Sequence, residues 1–274
     1  MKSSYSLSFG LLTLVLASVW LAPPAWGASL GAGISPSRFE LRAKPGQVLR
    51  DTVRVINASD DTSEFRFRTV DWRLNDSNGV DFLDDEMLEN SCRPWIRLER
   101  QAVKIRAGAE KKYRFEVHVP EDAPAGLCRF AIMIEPDDKL MPSDDVSGQI
   151  KFPITGRYAV ITYVTVGDAK ADIDYLGLGE TLISDQRLPT LKLRNQGTTY
   201  DRTFGEVVAT DPTGQKIQLI ASNFPVLPGR TEEISLAPRA PEPGQNPQMF
   251  QYPLRLKGKV EIGGETITID EVFE

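Results

Sequence analysis

Histidine and cysteine are nearly missing from this chain. It holds one histidine, His118, and two cysteines, Cys92 and Cys128, in 274 residues. A Ser-His-Asp or Cys-His hydrolase would have to use His118. That residue stands between Val117 and Val119, at the outward parity it shares with Arg114 and Glu116, and no nucleophile motif lies near it. Two Cys and one His are too few for a zinc or other transition-metal site. The 38 acidic residues include Asp84-Asp85-Glu86 and Asp144-Asp145, but neither run has the ordered spacing of a calcium loop. Both read as solvated loop charge. No two carboxylates stand out as a glycosidase pair. Positive charge is also scarce, with 32 Lys and Arg against 38 Asp and Glu, so no nucleic acid is expected as a partner. A protein that is not an enzyme, with no cofactor and no metal, is the expectation.

Long apolar runs are absent except at the start. Lys2, the apolar run Phe9–Leu21 and the small-residue pattern Ala25-Trp26-Gly27 form a secretory signal, with cleavage expected after Gly27. No transmembrane segment is expected once residues 1–27 are removed. An even pair of cysteines in an exported chain reads as a disulfide, Cys92 to Cys128, rather than as two free thiols.

What remains is short alternating runs separated by turn residues, without a convincing amphipathic helix. The expected strands of the first half are Ile34–Leu41, Arg50–Asn57, Glu64–Trp72, Trp95–Leu98, Val103–Ile105, Lys111–Val119 and Leu127–Glu135. Those of the second half are Ile173–Leu178, Thr190–Asn195, Thr203–Asp211, Lys216–Ala221, Glu232–Leu236, Tyr252–Ile262 and Thr266–Phe273. Strands at this spacing indicate an all-β chain of two immunoglobulin-like antiparallel sandwiches, residues 28–167 and 168–274, joined near Gly167-Asp168. Trp72 and Trp95 are expected in the sandwich core.

One stretch, Gln149–Val166, differs from the others. Ile150, Phe152 and Ile154 share one face, and Pro153 places that segment at a sheet edge. Tyr158–Val166 is apolar on both faces, as in a strand buried on two sides. An exposed apolar edge recruits other chains. The stretch therefore reads either as a donated strand or as a long core strand beneath a loop.

Several motifs, in this order and spacing, resemble the periplasmic chaperones of chaperone–usher pilus assembly, or their divergent two-domain relatives. They are I-S-P-S-R (Ile34–Arg38), V-R-V-I-N (Val53–Asn57), V-D-W (Val70–Trp72), R-P-W-I (Arg93–Ile96), the Ala107-Gly108 turn and A-P-A-G-L-C-R-F (Ala123–Phe130). L-R-N-Q-G (Leu193–Gly197) and V-L-P-G (Val226–Gly229) continue them in the second half. The resemblance implies an L of two domains in the periplasm. It implies that Ile150, Phe152 and Ile154 are donated to pilin-like subunits, that Arg38 and Arg157 hold the subunit's terminal carboxylate, and that an outer-membrane usher receives the complex. The cysteine pair is not a general feature of that family. The alternative is a secreted immunoglobulin-like structural or adhesive module with no folding client.

Overall fold

The computed structural model describes residues 31–75, 79–136, 156–183, 186–239 and 250–274. The expected signal peptide, the acidic segment 137–148 and the donor positions Ile150, Phe152 and Ile154 lie outside the described residues. The first half holds β1 (Ala32–Ser35), β2 (Arg38–Ala43), β3 (Val48–Asn57), β4 (Ser63–Leu74), β5 (Val80–Leu83), β6 (Ile96–Leu98), β7 (Ala102–Ile105), β8 (Glu110–His118), β9 (Gly126–Pro136) and β10 (Tyr158–Val166). The second holds β11 (Ile173–Ile183), β12 (Gln186–Asn195), β13 (Asp201–Arg202), β14 (Phe204–Thr210), β15 (Lys216–Ala221), β16 (Pro225–Val226), β17 (Thr231–Pro238), β18 (Leu254–Ile262) and β19 (Glu265–Phe273).

Both halves are immunoglobulin-like sandwiches. In the first, a sheet of order β1-β3-β8-β6 faces one of order β2-β10-β9-β4-β5, with β7 added to β4. Inward residues of the two sheets, among them Val53, Phe65, Phe67, Tyr113, Phe115, Phe130, Ile132, Val160 and Val164, form one buried core. Each large side chain buried this way contributes about 1.5–3 kcal/mol. In the second half the order is β11-β12-β17-β15-β14-β18-β19, and β15 pairs with both β14 and β17, so the two layers are continuous. Leu191, Leu193, Val207, Leu219, Ile234, Leu256 and Val260 fill its core.

The short strands β13 and β16 fall outside the expected runs, and three further elements differ from the sequence expectation. The lead-in expected over Ile34–Leu41 is two strands, split at the cis Ser35–Pro36 bond, with β1 in one sheet and β2 in the other. Pro36 has no N–H for a ladder, so a strand running through it would lose a bond. The hairpin β11–β12 reaches Ile183 and starts again at Gln186, well past the expected Leu178 and Thr190. A register shift between Tyr175 and Leu178, with Gly177 at a φ of 112°, breaks the alternation without ending the strand. The four-residue β5, paired with β4, had no run long enough to show.

Two buried asparagines explain motifs quoted above. Asn57 ends β3 and its Nδ2 donates to the carbonyls of Asp61 (2.7 Å) and Ile105 (2.9 Å). Asn195 ends β12 and its Nδ2 donates to the carbonyls of Thr199 and Val226, both at 2.8 Å. Each clamps the strand end to the chain just before a turn whose glycine has a positive φ, Gly108 or Gly229. A Cβ at Gly197 would lie 2.4 Å from the Lys170 carbonyl, so the last residue of L-R-N-Q-G has room for no side chain beside the interdomain linker.

Cys92 and Cys128 are bonded, with Cα atoms 5.4 Å apart. The bridge pins the segment between β5 and β6 onto β9. The buried Asp71 carboxylate holds the same segment, accepting from the Leu88 N–H (2.9 Å) and the Ser91 hydroxyl (2.7 Å). The cross-link spans a sequence separation of 36 residues. Replacing both cysteines by alanine is expected to lower the stability of the first domain by about 3–4 kcal/mol in the chain-entropy account. Urea unfolding of the double variant checks this, and a loss under about 1 kcal/mol would assign the pinning to Asp71 instead.

Candidate functional site

The two faces of β10 have different covers. Val160, Val164 and Val166 point into the first core, while Ala159, Ile161 and Tyr163 belong to a separate cluster on the far side of the sheet. Val70, Trp72 and Leu74 of β4, with Ala131 and Met133 of β9, extend that cluster. Leu227, Tyr200 and Phe224 of the second domain close over it. Trp72, expected in the sandwich core, is thus buried on the opposite face, beneath the second domain, with its indole N–H donating to the Phe130 carbonyl at 3.1 Å. Alternation assigns a residue to a face but does not say which face is the core. Trp95 packs at the edge of the first core. Bonds from Leu127 N–H to the Thr198 carbonyl (2.9 Å) and between the Thr165 and Thr199 hydroxyls (2.8 Å) fasten the two domains together.

Arg38 opens β2 and stands beside Ile161 in a parallel register, with Glu40 beside Tyr163. Phe39 and Leu41 turn into the core, so Arg38, Glu40 and Arg42 lie on the face toward the second domain. Glu40 Oε1 accepts from two arginines, each at 2.8 Å: Nε of Arg38 and Nε of Arg202. Arg202 belongs to the second domain. Its guanidinium is nearly buried, donates through Nη1 to the Asn223 carbonyl (2.8 Å), and lies 5.3 Å from the Tyr163 ring and 5.5 Å from the Tyr200 ring. The two rings are 4.4 Å apart. Burial raises the pKa of both phenols, and the Glu40 charge adds to the rise at Tyr200. Both rings remain neutral at neutral pH.

Arg157 precedes β10 at the parity of Ala159 and Ile161, hence on the same face as Arg38. It stands four residues from Ile161, about 13 Å along the strand. Its Nε meets Glu135 Oε1 at 3.0 Å, and that oxygen also accepts from Arg68 Nη2 at 2.9 Å. Arg38 and Arg157 therefore share a face but engage different carboxylates. His118 is a partly exposed strand residue paired with Glu116 at 2.7 Å. Asp84 is paired with Arg68, which holds its carboxyl below the usual range. Among the described residues no group of three or more His, Cys, Asp and Glu is placed to hold a metal.

No family model and no curated protein matches the chain. Solved structures similar to it include the class 5 fimbriae chaperone CfaA (12% identity, TM-score 0.45, covering 89% of this chain and 99% of that one). They also include a chain of the CsuC–CsuE chaperone–tip adhesion subunit pre-assembly complex of Acinetobacter baumannii (14%, 0.44, 87% and 97%). The E. coli chaperone DraB is another (12%, 0.44, 89% and 96%). At these identities the likeness concerns the fold.

Sequence reading missed Glu40, Tyr200 and Arg202. Tyr200 and Arg202 share a parity just after L-R-N-Q-G, but nothing local marks a partner on a strand at the other end of the chain. Arg202→Ala is expected to lower stability by about 1–3 kcal/mol, since it removes a desolvated ion-pair partner and leaves two ring faces uncovered. Arg42→Ala, on the same strand face and exposed, should stay within about 0.5 kcal/mol of the parent. Urea unfolding of both checks the contrast, and equal effects would remove Arg202 from its bracing role.

Proposed function

We propose that the protein is a periplasmic, non-enzymatic chaperone that binds pilin-like subunits by β-strand donation and passes them to an outer-membrane usher. One observation carries this reading. β9 pairs with β10 from Tyr158 onward, but β2 reaches the other side of β10 only from Ile161. Ala159 and Val160 thus pair with β9 alone among the described residues. The sequence leading into that half-paired end carries Ile150, Phe152 and Ile154 at alternate positions. A strand added there gains main-chain hydrogen bonds, while alternate side chains fill pockets in the partner. Three such side chains supply about 1.5–3 kcal/mol each before ordering costs. Arg38, on the face toward the second domain, receives the subunit's terminal carboxylate, with Arg157 about 13 Å away along the same face, and a charge-assisted bond of this kind fixes strand register.

Phe152→Thr separates donation from a core role. Donation predicts a free protein that melts as the parent does, with recovery of a co-expressed subunit lacking its last strand reduced about tenfold or more, because that buried area exists only in the complex. A core role predicts a stability loss of several kcal/mol, as large-to-small core changes give. Thermal melting and subunit recovery from periplasm are measured together. A large drop in melting, with recovery merely following the folded fraction, would overturn strand donation. A chain that recovers no subunit and is found in the surface material itself is a structural module.

A further inference from the structure

We propose that Glu40 is a built-in competitor for the cleft: its carboxylate stands where a client's carboxylate binds, and the client takes Arg38 from it by exchange. This rests on the chaperone reading and adds a control to the same site. Two arginines meet on one oxygen of Glu40, so the trio carries one positive charge more than negative. The two sides of the trio are unequal. Arg38 and Glu40 are 45% and 40% exposed at the side chain, whereas Arg202 is 7% exposed. Solvent, and therefore a ligand, reaches the Arg38 side.

Arg202 is fixed by the Asn223 carbonyl and by the two tyrosine rings, so it retains Glu40 when Arg38 leaves. After the exchange each arginine has one carboxylate. No charge is left buried without a partner, which is the outcome that makes breaking a desolvated pair costly. Before the exchange Glu40 screens Arg38 from stray anions. Only a carboxylate delivered by an inserted strand, at high local concentration, displaces it.

Chemical rescue tests this without a client, using acetate as the carboxylate probe. Thermal melting is compared in about 0.5 M sodium acetate and in sodium chloride of equal ionic strength. Glu40→Ala is expected to melt below the parent in chloride, and acetate should restore about 3 °C. The parent, with Glu40 in place, should show no acetate-specific change. Glu40→Ala with Arg38→Ala should show a smaller rescue, since Arg202 alone is left to hold acetate. If Glu40→Ala fails to fold, Glu40→Ser carries the same comparison, since it too removes the carboxylate and leaves space for acetate. An equal acetate effect in parent and variant, rescue undiminished by loss of Arg38, or no rescue at all would overturn the exchange. Subunit recovery is scored separately. Rescue with no subunit recovered sinks the chaperone reading and leaves a carboxylate site, while recovery without rescue sinks the exchange alone.

Discussion

The burial of β10 on both faces is the constraint on which the other features depend. One face completes the core of the first sandwich, and the other is roofed by Leu227, Tyr200 and Phe224 of the second domain. Two polar residues of this strand, Thr162 and Thr165, are buried along with its valines and aromatics, and the Thr165 hydroxyl meets that of Thr199 at 2.8 Å. Charge gathers at both rims of this face, and Arg129 of β9 lies within it, 4.7 Å from the Trp72 ring. Arg38 and Glu40 sit on β2 at one rim, and Arg157, Glu135 and Arg68 sit beyond the apolar patch. The cleft therefore has a floor of aromatic and aliphatic side chains that carries one arginine, and charged margins.

Much of the fold was legible because alternation reports directly which residues share a face. Tyr158–Val166 showed apolar residues at both parities, and both faces are covered. Asn57 and Asn195 stood at the ends of alternating runs and before turns, the places where a side-chain amide clamps a strand end. Trp72 shows what alternation leaves out. Its parity is clear, but the choice between the sandwich core and the opposite face depends on a second domain folded from residues far downstream. Arg202 and Glu40 illustrate the same gap for charge: Glu40 reads locally as a polar strand residue, Arg202 falls between two expected strands, and only the packing of the domains brings them to 2.8 Å. Arg38 was singled out by its motif, beside Pro36. The carboxylate that Arg157 engages was not legible, because an ion pair across strands leaves no periodic trace, whereas Glu40 stands two residues after Arg38 on the same strand face and alternation alone does not single it out.

Shared carboxylates recur in this molecule. Glu40 takes Arg38 and Arg202, and Glu135 takes Arg157 and Arg68. Exposed ion pairs contribute little to stability, since screening and side-chain entropy offset the attraction. Their effect is to hold long side chains in defined directions. Around Glu40 that orientation is reinforced by the Tyr163 and Tyr200 rings, and it gives the cleft a fixed pattern of positive charge.

The parallel pairing of β2 with β10 sets an order of events during synthesis. β2 is the second strand made, whereas β10, its neighbour in the sheet, is the last strand of the domain. Contacts this distant in sequence form late, after the intervening loops have closed. Until then Arg38 and Glu40 lie on a strand with no sheet to join, and Arg202 has not yet been made. The cleft exists only once both domains have packed together, and a growing chain has no means of engaging a carboxylate there before that.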